Sequence, residues 1–458
     1  MMATVLLVAL VQQPASPVDT AAGRPCKMII DSVGRQAQQV EVRRGETNVF
    51  AGGGVLAHCD GTSSTLASDS VAWFAGVKRF DMLGQRNPVH IRDTAMTLDA
   101  TTAAYFMGQE RLEAHKNVIA VNRSTGSVLR GPNLTYYRAI RGVRDTLDMY
   151  ASGRPTIDYH ATADSGGGEP YIIVADRVRF KGNDRMWGGG KVTIDRSDFA
   201  ARGDSMQLDQ HGESRGLVGK PRVEGKGARP YALTGTRIEL GLQGQEIRLV
   251  KALGDGVGTG ADWRLTADTI HLHLDRKKLQ QAFAWGPKDS VHARAVSTRN
   301  TIVSDSLALD LPDEVLTEAR AFGHAYSTSK KEPAKKESSK RDSSEVDWIA
   351  GDSLTARWTQ VADSTGTPSS KLYRLISRGS PARSFTHLAS ERDSTGPSVN
   401  YSRGKVIDVV LKRDKVDRVT VTGRADGVQL EPRPPAPDTT KKADTTKTTT
   451  VTKKKPRP

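Results

Sequence analysis

Hydrophobic and polar positions alternate along most of this chain, and they do so in copies of one short pattern. The pattern is an apolar residue, a small residue two places on, a polar residue, then apolar residues five and seven places after the first. It starts at Leu66 (LASDSVAW), Leu129 (LRGPNLTY), Ile173 (IVADRVRF), Ala201 (ARGDSMQL), Leu233 (LTGTRIEL), Leu265 (LTADTIHL), Ile302 (IVSDSLAL) and Ile349 (IAGDSLTA), with a looser version at Ile91. Six copies place an aspartate in the polar slot: Asp69, Asp176, Asp204, Asp268, Asp305 and Asp352. Period two predicts strands with one face buried. The last two apolar residues of each copy should share that face: Val71/Trp73, Leu134/Tyr136, Val178/Phe180, Met206/Leu208, Ile238/Leu240, Ile270/Leu272 and Leu307/Leu309. The aspartate is read as a turn acid that bends the chain, because short carboxylates bond nearby backbone N–H groups.

Two further marks keep step with the pattern. Glycine-led β-branched stretches precede some copies, as in FAGGGVLAH from Phe50 and WGGGKVTID from Trp187. A Gly-Pro signal follows others, at Gly84–Pro88, Gly153–Pro155, Gly219–Pro221, Gly286–Pro287 and Arg378–Pro381. Fixed order with variable spacing predicts a stacked array of strands joined by loops of different length. The expected fold is all-β, with repeated antiparallel strands stacked as an elongated β-jelly-roll or β-taco. Helical signal is confined to a turn or two in PDEVLTEARAF (Pro312–Phe322). The array divides on paper into 27–160 and 161–325, then a loop or disordered linker at 326–346, a last β segment at 347–430 and a Thr/Lys/Pro tail at 431–458. Gly404–Gly423 reads as a hairpin turning at Arg413-Asp414-Lys415.

Composition agrees with thin, strand-built layers: 37% hydrophobic, 5% aromatic and 43 glycines in 458 residues. The net charge is +15, but residues 433–458 alone carry eight Lys/Arg and two Asp. The remaining excess is mild, which argues against a nucleic-acid partner and suits an anionic envelope surface. Residues 1–22 contain a short apolar run, Ala3–Val11, followed by small residues and Pro. That run is too short to span a bilayer and is read as a secretory signal lacking the usual positive start, with a buried strand or frayed end as the alternative. If the chain is exported, Cys26 and Cys59 are expected either to form one disulfide or to remain two thiols.

The segments Asn48–Phe74, Arg185–Gly225 and VNYSRGKVIDVVLKRDKVDRVTVTG, ending at Gly423, carry a resemblance to the OstA-like (organic solvent tolerance-like) family. They show its order of a glycine-led strand, a small-Asp strand and a Gly-x-Pro exit across most of residues 30–425. The resemblance implies periplasmic proteins of lipopolysaccharide transport, whose strands fold over like a taco around an apolar groove. It implies a non-enzymatic protein that shields acyl chains of lipopolysaccharide or another envelope lipid. It also implies partners among other envelope transport proteins, joined end to end by strand pairing, and association with the outer membrane. This chain is about twice the length of the short bridge members and carries no series of barrel strands after residue 430. The alternative is a purely structural β-solenoid scaffold or adhesive protein.

No catalytic, metal or cofactor site is expected. Gly212–Gly216 (GESRG) matches a nucleophile-elbow spelling but lies between strand signals, where a polar turn is the simpler reading. Gly254–Gly260 lacks dinucleotide spacing and reads as a loop. His271 and His273 share a strand face without a third ligand nearby in sequence. Arg177, Arg179 and Lys191 are the candidates for meeting lipid phosphates at a groove rim.

Overall fold

The computed structural model describes residues 26–431 except for short stretches at 141, 161–167, 183–184, 210–215, 244–245, 287–291, 298, 330–345, 363–367, 389–397 and 413–414. The expected signal segment and tail lie outside the described residues. What is described forms 32 strands in a single hydrogen-bonded sheet, every pairing antiparallel. The array is all-β, with 3-10 turns at Met107–Gln109 and Pro312–Glu314. The short turn expected in Pro312–Phe322 is therefore a 3-10 turn, and Glu318–Ser329 already belongs to a strand. Residues 326–329 of the expected linker are strand, because Tyr326 pairs with Ala350 and Ser329 with Asp347; residues 330–345 lie outside the described residues. Pairing of Thr156–Tyr159 with Tyr171–Val174 carries the sheet straight across residue 160.

The sheet is bent along its whole length into two limbs. Thr65–Phe74 shows how. Its second half pairs with Arg79–Leu83 and its first half with the separate strand Val89–Arg92. The same division recurs where Val128–Tyr137 meets Asp148–Ser152 and Thr156–Tyr159. It recurs again where Phe199–Asp209 meets Gly216–Val218 and Arg222–Gly225. Long bent strands thus alternate with rungs broken at the bend. At the 4.8 Å strand spacing, about twenty rungs extend for on the order of 100 Å.

All the sequence marks collect at this bend. Each small-Asp pair marks the point where the chain passes from the second limb, which holds the leading apolar residue, to the first limb, which holds the two trailing ones. The copies are thus corners, not strand entrances. The glycine-led strands turn there through consecutive residues of positive φ: Gly53 and Gly54, Gly190 (79°) and Lys191 (46°), Gly254 (72°) and Asp255 (51°), Gly323 and His324. The Gly-Pro signals at Gly84–Pro88, Gly153–Pro155 and Gly219–Pro221 join the halves of broken rungs, as at Gly219 (78°), Lys220 (52°) and Pro221, whereas Arg378–Pro381 lies inside the unbroken strand Pro368–Leu388 and Pro287 lies outside the described residues. Successive corners interlock. A Cβ at Gly219 would collide with the Asp204 carboxylate, and the same holds for Gly190 under Asp176 and Gly323 under Asp305. Asp69 instead accepts from the backbone N–H groups of Gln85 (2.7 Å), Arg86 and Asn87 (3.1 Å) in the next rung.

Gly254–Gly260 is likewise no loop but the corner and second half of the strand Glu246–Thr259. Its glycines leave room for Trp263, whose ring a Cβ at Gly258 would approach to 3.1 Å. One apolar core runs between the limbs from Cys26 to Val409. Burying a side chain such as Leu134 or Ile270 there contributes roughly 2 kcal/mol.

Candidate functional site

The inner faces of the two limbs enclose the site. Val71, Leu134, Tyr136, Val178, Met206, Ile238, Ile270, Leu272, Leu307 and Leu309 are buried in the shared core. Trp73, Phe180, Leu208 and Leu240 are half-buried against it. The space between the limbs is not uniform. An open apolar pocket lies among Met96, Tyr136, Leu147, Met149, Phe180, Met186 and Leu208. A second lies toward the N-terminal end among Cys26, Cys59, Leu66, Met82, Tyr105, Leu112 and Arg138. Met96 and Tyr136 wall both, so the two form one apolar cleft with a partition.

Of the sequence-derived groove residues, Tyr136, Phe180 and Leu208 face this cleft. Ile238, Ile270, Leu272, Leu307 and Leu309 are buried, and Leu240 half-buried, in later rungs. There Trp263, Leu311, Val315 and Leu316 are buried between the limbs. The turn at Pro312–Glu314 closes those rungs, with Glu314 accepting from the Arg229 N–H at 3.3 Å.

Polar groups close the mouth of the N-terminal chamber. Tyr136 donates to Asp93 Oδ2 at 3.3 Å, and Asp93 also accepts from Ser64 Oγ at 3.1 Å. Arg123 donates to the Asp93 carbonyl at 2.9 Å. Buried Glu110, at the tip of the first limb, accepts from the Tyr105 hydroxyl and, at 2.7 Å, from the Cys26 N–H. Cys26 is joined by a disulfide to Cys59, at the tip of the second limb. Arg138 Nη1 stands 3.4 Å from Cys59 Sγ and 3.7 Å from Glu110 Oε2. The limb tips are thus held together through Cys26. Burial, then the neighbouring carboxylates, pushes the phenols of Tyr105 and Tyr136 well above their ordinary range, so both remain hydrogen-bond donors.

The arginines expected at the rim lie elsewhere. Arg179 is on the outer face, bonded to Asp148 at 3.0 and 2.7 Å and held between the rings of Tyr150 and Trp187. Arg177 and Lys191 stand at the corner, opposite the mouth. Arg138 and Arg185 are the guanidinium groups that line the cleft. Sequence reasoning missed them, and with them Asp93, Glu110, Tyr105 and the methionine walls. Met96 alone had a signal, in the looser copy from Ile91.

The other chemical candidates reduce to architecture. Gly216 opens a strand paired with Phe199–Asp209, so a β-hairpin stands where an elbow would need a helix; residues 210–215 lie outside the described residues. His271 and His273 pack edge-on against Trp285 and Phe283 on the outer face. Burial, with Lys251 nearby, lowers both imidazole pKa values. Among the described residues no group of three His, Cys, Asp or Glu side chains is placed to hold a metal ion. No family model and no curated protein matches this chain.

Proposed function

We propose that the protein is a non-enzymatic lipid carrier of the cell envelope, which shields acyl chains in the cleft between Cys59 and Leu208. The observation that carries this reading is the contrast along one array. Two confluent apolar pockets open between the limbs in the N-terminal half, whereas further on Trp263, Leu311 and Leu316 are buried between them. An apolar chamber walled by adaptable methionines suits flexible hydrocarbon, each buried methylene contributing ~0.8 kcal/mol. The resemblance of the corner pattern to periplasmic lipopolysaccharide-transport proteins makes lipopolysaccharide or another envelope lipid the proposed cargo and the periplasm the proposed compartment. Among the described residues the end rungs leave one ladder side open, on Met28–Val33 and Gln36–Arg43 at one end and on Lys415–Thr422 and Asp426–Leu430 at the other. Those edges support end-to-end pairing with other transport proteins as the proposed mode of assembly.

The test is saturable uptake of a fluorescent acyl lipid and of lipopolysaccharide. Phe180→Asp, inside the cleft, should abolish uptake, whereas Gln207→Asp, exposed on the outer face of the same limb, should leave it unchanged. Equal uptake by the two folded variants would remove the carrier reading and leave a structural scaffold.

A further inference from the structure

In the last rungs the second limb changes its pattern. Up to Ile302 the inward row of this limb is apolar, through Leu129, Ile157, Ile173 and Leu265. Beyond it buried hydroxyls flank Ile349 on the inward row, with Ser327, Ser384, Thr386 and Ser402 all buried. Among the described residues Ser384 Oγ and Thr386 Oγ1 have no hydrogen-bond partner. The outward row is where the large apolar groups went. Trp348 is paired across the sheet with Phe385, Phe385 with Tyr401, and Tyr401 with Val428. The rings stack at 6.2 Å between Trp348 and Phe385, and Tyr326 flanks Trp348 at 6.0 Å. Val428 and Leu430 are 57% and 63% exposed. A sheet that buries serine while Trp348, Phe385 and Tyr401 stand half-exposed on its outer side offers an apolar face to something outside itself.

We infer that this face lies against an anionic lipid surface. Two observations select that occupant. Aromatic rings with polar edges suit the boundary between hydrocarbon and headgroups. The charge that goes with them is positive in balance: Arg383 borders the stripe on the outer face, Arg403 beside it is paired with Asp426 at 3.2 Å, and in sequence the eight Lys/Arg of residues 433–458 follow Leu430. An apolar contact combined with a polybasic segment is the pair of signals that holds a protein stably on such a surface. The site is separate from the cleft and rests on none of its residues.

The experiment is flotation of the full chain with phosphatidylcholine vesicles, with and without about a third phosphatidylglycerol. Wild type should float with the anionic vesicles and be released by high salt. Phe385→Ser combined with Tyr401→Ser should weaken binding about tenfold or more, and so should Val428→Ser with Leu430→Ser, which are too exposed to cost core packing. Replacing Lys453, Lys454 and Lys455 by Gln should weaken binding and flatten its salt dependence. Trp285→Ser, on the outer face of the other limb, should bind as wild type. The cleft variant Phe180→Asp should also float normally, which separates this inference from the carrier reading. Failure of wild type to float, undiminished flotation of both stripe variants, or a stripe-dependent dimer indifferent to lipid would each overturn it.

Discussion

Tyr136 and Asp93 meet across the cleft at 3.3 Å, where the partition between the two cavities reaches the mouth. The phenol comes from the first limb and the carboxylate from a tip of the second, 43 residues away in sequence. Tyr136→Phe keeps the ring and removes the tie. Asp93 retains Ser64, so the expected loss is about 1 kcal/mol, read as a lower urea midpoint.

The Cys26–Cys59 disulfide closes a separation of 33 residues, for which the chain-entropy account gives roughly 3–4 kcal/mol. In a stacked array each rung supports only its neighbours, so the effect should be local. Replacing both cysteines by Ala should raise amide exchange in Met28–Val33, Glu46–Cys59 and around Glu110. Exchange in Asp347–Ala362 should not change. A uniform rise along the chain would contradict rung-by-rung stability.

Asp204 and Gly219 form one unit, and a double-mutant cycle should show it. Gly219→Ala forces a side chain into φ of 78° and into the Asp204 carboxylate. The conformational strain alone costs about 1–2 kcal/mol. Asp204→Gly, which also removes the Asp204 Cβ that would lie 2.5 Å from the new methyl, should remove the collision but not the strain, so the double variant should be more stable than the sum of the singles predicts. Strict additivity would mean that the carboxylate has room to move aside.

Asp69 is held at about 2 by the backbone N–H groups of Arg86 and Asn87 first, with Gln85 adding to them, against a modest opposing effect of burial. Its folded pKa lies below the unfolded value, so the stabilisation is complete above about pH 4 and is lost as pH falls toward about 2. Against Asp69→Asn, the wild-type advantage in unfolding midpoint should shrink through that window and stay constant from about pH 5 to 7. A constant difference down to the lowest pH would show that the loop at Gln85–Asn87 is held by other means.

What the sequence determined by itself is the local geometry. Alternation sets which residues share a face, and glycine pairs, small-Asp pairs and Gly-x-Pro set where the chain can bend, because those preferences act within a few residues. Leu66, Ile173 and Leu265 turned inward as their period requires, and so did the trailing pairs from Val71 to Leu309. Period two cannot say which face is inside. SFTH and NYSR alternate as cleanly as LHLD, yet they hide Ser384 and Ser402 and display Phe385 and Tyr401. Nor can it say where two faces stand apart. The cleft sets Met149, Phe180 and Leu208 of the first limb opposite Met96, Ile157 and Tyr159 of the second, and that placement depends on residues distant in sequence. The tie from Cys26 to Glu110 spans 84 residues. Tertiary structure decided these points because each is a contact between limb tips, and the limbs meet only after the array has stacked.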